Sequence, residues 1–187
     1  MKNRNNNLFN KSRTALIIID IINDFNFSHG IDLAKKVNAF SDNIIALRNS
    51  FKQNNLPVIY VNDHYKLWQA NLSRLLEYCT NTLSESILEK LSPEEDDYFL
   101  IKPKHSAFYG TSLVMLLREL KIDTVVLTGV AGNICVLFTA NDAYMREYQI
   151  IVPRDCIASN NDHDNEFALR MMENVLKADI VMTKDLI

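Results

Sequence analysis

Apolar residues fall along this chain in two alternating patterns: short unbroken runs of aliphatic and β-branched residues, and longer stretches in which they recur every three or four positions. The first run, Thr14–Ile19, ends on Asp20 and reads as a strand buried on both faces, as strands of parallel sheets are. Over Ile31–Asn54 the positions Val37, Phe40, Ile44, Leu47 and Phe51 predict one long amphipathic helix. The polar Gln53-Asn54-Asn55 cluster, with Pro57 beyond it, stops that helix. Pro57–Val61 is a second strand, followed by Asn62-Asp63-His64, and helical segments are predicted over Ala70–Cys79 and Leu83–Leu91. After an acidic turn at Pro93–Asp97, Tyr98–Ile101 forms a third strand with Lys102 at its end and Pro103 blocking its extension.

The second half repeats the alternation. Thr111–Leu120 places Leu113, Leu116, Leu117 and Leu120 on one face, with Thr111 as N-cap. Asp123–Thr128 is the fourth strand, Asn133–Glu147 a helix, and Gln149–Val152 the fifth strand, closed by Pro153. Asp162–Leu176 is the last long helix, with Phe167, Met171, Met172 and Val175 as its core side, and Asp179–Thr183 supplies a sixth strand. Strands joined through helices, with connections too long for hairpins, predict a three-layer α/β/α domain around a parallel sheet of about six strands.

Composition narrows the function more by exclusion than by assertion. A chain of 187 residues, 48% hydrophobic and 23% charged, suits one globular domain; residues 14–187 are assigned to it and the polar, Asn-rich residues 1–13 to a flexible leader. A net charge of −3 without a basic stripe offers nothing to nucleic acid, and no apolar run approaches a membrane span. Cys79, Cys135 and Cys156 are odd in number and widely spaced, which fits a reducing, cytoplasmic setting better than a disulfide framework.

Three reactive groups stand out against this background. Asp20 and Lys102 close two predicted strands, and Cys135 lies where the strand Thr124–Thr128 passes through Gly129-Val130-Ala131-Gly132 into a helix. Strand ends in a parallel sheet share one edge, where open α/β sheets carry their chemistry. A thiol at a helix start is favoured as thiolate by unpaired N–H groups, a carboxylate can take its proton, and an ammonium can hold the resulting charge. The plainer readings are a small buried filler for Cys135 and a capping carboxylate for Asp20. Lys104 competes with Lys102 for the ammonium role. Only four glycines occur, and Gly110, Gly129 and Gly132 cluster between Ser106 and Cys135. No glycine-rich phosphate loop accompanies them.

Taken together, Ala15–Asp20 with Asn23-Asp24-Phe25, Lys102 four residues before Ser106-Ala107-Phe108-Tyr109-Gly110-Thr111, Gly129–Val136, and Thr139-Ala140-Asn141-Asp142-Ala143 resemble the isochorismatase-like cysteine hydrolases. That family includes nicotinamidases and N-carbamoylsarcosine amidases. The resemblance implies a catalytic triad of Asp20, Lys102 and Cys135 that cleaves the C–N bond of a small amide-like substrate through a thioester. It also implies a cis peptide between Val130 and Ala131, with the Ala131 and Cys135 N–H groups facing the oxyanion, a strand order of 3-2-1-4-5-6, and a homo-oligomer. That order sets the strand of Lys102 far from the other two groups, so its reach is expected to come from loop geometry. Phe25 resembles a pocket aromatic and reads equally as core; Trp68 is a second candidate for the pocket wall. Cys79 and Cys156 read as packing residues.

Metal-dependent nicotinamidases hold their ion through an aspartate and several histidines after the second strand. Only Asp63 and His64 stand there, fewer than the ligands zinc needs, so no metal and no other cofactor is expected. Isochorismatases of siderophore pathways lack the cysteine, so Cys135 favours an amide over a vinyl ether. Two alternatives stay open: a metal-dependent nicotinamidase, and a catalytically silent binding protein that keeps the fold as a scaffold.

Overall fold

β1 (Thr14–Ile19) is buried along its whole length, and its alternating side chains feed two separate cores. Leu16 and Ile18 point into one; Ala15, Ile17 and Ile19 point into the other. The first core is closed by α1 (Gly30–Gln53), α2 (Leu72–Cys79) and α3 (Glu85–Leu91). The second is closed by α4 (Leu113–Glu119), α5 (Leu137–Tyr144) and α6 (Asp162–Asn174). A sheet covered by helices on both faces is the reason its strands read as continuous apolar runs. The computed structural model describes residues 13–187, so all but the last residue of the leader expected over residues 1–13 lies outside the described residues. Arg13, assigned to that leader, is tied down: its carbonyl accepts the N–H groups of Asp123 and Thr124, and its guanidinium lies 3.1 Å from Asp123.

Around β1 the sheet is built from β2 (Val58–Asp63), β3 (Tyr98–Lys102), β4 (Thr124–Val130), β5 (Gln149–Pro153), β6 (Ile157–Ala158) and β7 (Asp179–Val181). The order is β3-β2-β1-β4-β5-β7, all pairings parallel. This is the expected order, with β7 as the predicted sixth strand and the two-residue β6 as an addition. β5 pairs with β4 only over Thr124–Val126, which leaves Gly129 and Val130 free to pair with β6. Among the described residues, no helix is long and apolar enough to cross a membrane.

Several boundaries and faces differ from the pattern-based expectation. α4 starts at Leu113 rather than Thr111, yet the Thr111 hydroxyl still accepts the Leu113 N–H at 3.2 Å, as a capping side chain does. In α6 the buried face is Ala168, Leu169 and Met172, whereas Phe167 and Val175 are exposed. Of the expected core face only Met172 is buried, since a pattern of bulky side chains does not single out the small Ala168. The helix expected over Asn133–Glu147 is two pieces: a π-helical turn, Gly132–Val136, followed by α5.

Candidate active site

At the carboxyl edge of the sheet β1 stops on Asp20, whose backbone turns into the left-handed region (φ 51°), which aspartate tolerates better than most residues. Its amide still donates to the Val61 carbonyl, so the turn begins from a fixed strand end. The carboxylate is buried, 6% exposed, and both oxygens are engaged. Oδ1 accepts the Asp63 N–H at 2.8 Å, and Oδ2 lies 2.7 Å from Lys102 Nζ.

Lys102 is the last residue of β3 and lies in register with Asp63 of β2. Two strand spacings of about 4.8 Å therefore separate its backbone from β1. The lysine stem crosses β2 to reach Asp20, so the span expected to need loop geometry is covered by the side chain itself. The residue is 1% exposed, and its ammonium meets three acceptors: Asp20, the Lys104 carbonyl at 3.2 Å, and Cys135 Sγ at 3.5 Å. Of the two candidate lysines, Lys102 thus brings its charge here, while Lys104 contributes a carbonyl and keeps its own side chain exposed.

Cys135 is the fourth residue of the π turn rather than the first of a regular helix. The Ala131 carbonyl accepts both the Ile134 and Val136 N–H groups, at 3.0 and 3.1 Å, which winds the turn. The Ser159 hydroxyl accepts the Asn133 N–H at 2.9 Å and donates to Asn165 Oδ1, pinning the turn to α6. The Val130–Ala131 peptide bond is cis.

Electrostatics here are set by burial. Removal from water pushes the Asp20 carboxyl up, partly opposed by the Lys102 ammonium and by hydrogen bonds from Cys135, Lys102 and Asp63. Burial pulls Lys102 down, but the Asp20 carboxylate beside it, foremost, outweighs that and holds it above its ordinary value. Burial, then the Asp20 carboxylate, raise the Cys135 thiol to about 12, with Lys102 acting the other way. This corrects the expectation of a thiolate lowered by a helix start: at rest the centre is an ion pair beside a neutral thiol.

Phe25 is 2% exposed and belongs to the core beneath α1, in one cluster with Val130 and the half-buried Ala131. Trp68 is 66% exposed and stacks on His64 with ring centroids 4.0 Å apart. Asp63 Oδ1 accepts the Tyr65 N–H and His64 Nδ1 the Lys66 N–H, so both serve the local turn. Among the described residues no group of three or more His, Cys, Asp or Glu side chains gathers to hold a metal, and these two do not fit one. One neighbour escaped sequence reasoning: His105, whose Nδ1 lies 4.0 Å from Cys135 Sγ. Its loop is fastened to α5 by the Ser106 hydroxyl on the Asp142 carboxylate and by the Ala107 N–H on Thr139 Oγ1.

Known proteins resemble the chain along most of its length. The chain is 56% identical over 177 residues to the uncharacterized isochorismatase family protein YaaI of Bacillus subtilis, covering 95% of this chain and 98% of that one. Among solved structures, the pyrazinamidase/nicotinamidase of Streptococcus mutans superposes with a TM-score of 0.71 at 33% identity, over 90% of this chain and 99% of the other. The N-carbamoylsarcosine amidase of Thermoplasma acidophilum superposes with a TM-score of 0.70 at 28% identity, over 91% and 96%. The isochorismatase domain matches residues 14–185, and the chain belongs to that family of hydrolases.

Proposed function

We propose that the protein hydrolyses a non-peptide C–N bond of a small amide-like molecule, with Cys135 as nucleophile, Asp20 as proton acceptor and Lys102 as the fixed counter-charge. The observation that carries the reading is one ammonium lying 2.7 Å from the Asp20 carboxylate and 3.5 Å from the Cys135 sulfur. The relatives named above as nicotinamidase and carbamoylsarcosine amidase point to the same bond type.

In this mechanism the substrate carbonyl carbon approaches Sγ, the thiol proton passes to Asp20, and the C–S bond forms. The raised thiol keeps the proton on sulfur until attack, and the raised carboxyl makes Asp20 a better acceptor than an ordinary aspartate. Lys102 stays charged throughout and keeps the carboxylate aimed at the thiol. The negative oxygen is received by the N–H groups of Ala131 and Cys135, in the turn that follows Val130. Asp20 then gives its proton to the departing nitrogen, the C–N bond breaks, and water hydrolyses the thioester. Residues 14–187 act as one catalytic unit, and copies of the chain associate. The three free thiols suit a reducing compartment.

The test is ammonia or amine release across small amides, ureido compounds and nicotinamide. Turnover of at least one class is expected, and Cys135→Ala and Asp20→Asn are expected to lower it by at least about 10³-fold. Asp20→Asn also leaves the buried Lys102 charge unpaired, a cost of about 3–5 kcal/mol, so circular dichroism must accompany it. Full activity in Cys135→Ala would end the proposal, and stoichiometric zinc or iron after purification would overturn the metal-free mechanism.

A further inference from the structure

The reacting sulfur has two different sides. Toward the interior stand Asp20 and Lys102, both buried and already paired. Toward solvent stands His105, exposed, with its ring tilted against Phe138 at a centroid separation of 5.6 Å and Nδ1 at 4.0 Å from Sγ. Phe138 lies on α5, three residues beyond Cys135, so the ring rests on the same helix-side surface as the sulfur. The anchors from Ser106 to Asp142 and from Ala107 to Thr139 hold the loop in that place.

We propose that His105 is a further catalytic residue, the base that activates water to hydrolyse the thioester and the acid that returns a proton to sulfur. The proposal rests on Cys135 being the nucleophile. The two halves of the reaction make different demands. Acylation needs a base beside the thiol, which Asp20 is. Deacylation needs a base beside a water arriving from solvent, and the Asp20 oxygens already face Lys102, the Asp63 N–H and the thiol inside the protein. His105 accepts a proton from the water at Nδ1 while the water oxygen bonds to the acyl carbon. The C–S bond then breaks with its electron pair going to sulfur, and the imidazolium gives that proton to Sγ. Water and thioester become carboxylic acid and thiol, and the imidazole is regenerated. The charged groups around this transfer are Lys102 and Asp20 behind the sulfur and the exposed Lys104 on the same loop.

The test uses p-nitrophenyl acetate, whose leaving group departs without a proton and so isolates the second half. In the wild-type protein a burst of p-nitrophenolate, absent in Cys135→Ala, should precede steady turnover. His105→Gln should keep the burst amplitude, which shows the site intact, while steady turnover falls about 100-fold. Acetyl on Cys135 should accumulate by mass spectrometry of the quenched protein. Unchanged burst and unchanged turnover in His105→Gln would overturn the role of His105 and leave Cys135 as nucleophile. A burst present in the wild-type protein but lost in His105→Gln would place the histidine in acylation and refute the assignment. With no burst and no acetyl on Cys135 in the wild-type protein, the nucleophile reading and this proposal fall together.

Discussion

At the scale of single residues, the chemistry of Cys135 is decided by what surrounds it rather than by the turn that carries it. All three thiols are raised to about 12, foremost by burial, so acidity does not distinguish Cys135 from Cys79 or Cys156. Access does, because the other two are completely buried. Iodoacetamide at pH 7.5 should therefore label Cys135 first, at a rate below that of free cysteine; a faster rate, followed by peptide mass spectrometry, would mean a thiolate at rest. Asp20, Lys102 and Cys135 were legible in the sequence because reactive residues at the ends of parallel strands must share an edge. His105 was not. Its approach to sulfur depends on contacts between residues 32 and 36 positions apart, which no periodicity encodes. The direction of the thiol shift was equally hidden, since burial appears only once the chain is folded.

At the scale of elements, the path from β4 into the π turn depends on contact with β1. Gly129 has φ +109°, and a Cβ there would lie 2.0 Å from the Ile19 carbonyl oxygen, one residue before Asp20. Gly129→Ala should cost more than about 4 kcal/mol and displace Asp20 from Cys135, so a thermal melt and the turnover assay should both collapse. An unchanged melting temperature would mean that β1 and β4 separate more easily than their matched register from Thr14 to Ile19 implies. The strands and α1 were readable because a doubly buried strand and an amphipathic helix leave unmistakable patterns. The π turn was not, since its extra residue per turn alters hydrogen bonding without altering composition. The core face of α6 was legible only in part: Met172 is buried as expected, but periodicity weighs large side chains and passes over Ala168.

Across the whole molecule, buried acids make stability depend on alkaline pH. Cys79, Cys135, Cys156 and Tyr60 are each raised to about 12 when folded, from ordinary values of 9.0 for the thiols and 10.0 for the phenol. The folded state therefore binds more protons above pH 9, so stability is fully present below it and declines as pH rises toward 12. Lys102, held above 10.5, acts with the same sign. Each group that ionises only on unfolding adds a slope of about 1.4 kcal/mol per pH unit. Urea midpoints at pH 8, 9.5 and 11 should fall progressively, and a flat series would contradict the burial of these groups. The α/β architecture itself was readable from the alternation of elements, but β6 is too short to leave a pattern. A last consequence follows from the three acceptors around the Lys102 ammonium. An amine reacts through its lone pair, and this one is withheld by a proton that the Asp20 carboxylate retains against the pull of burial. Reductive methylation with formaldehyde and a borane should therefore modify exposed lysines such as Lys35 and Lys104 while Lys102 stays unmodified by peptide mapping. A surface stripped of its primary amines would still enclose a working catalyst.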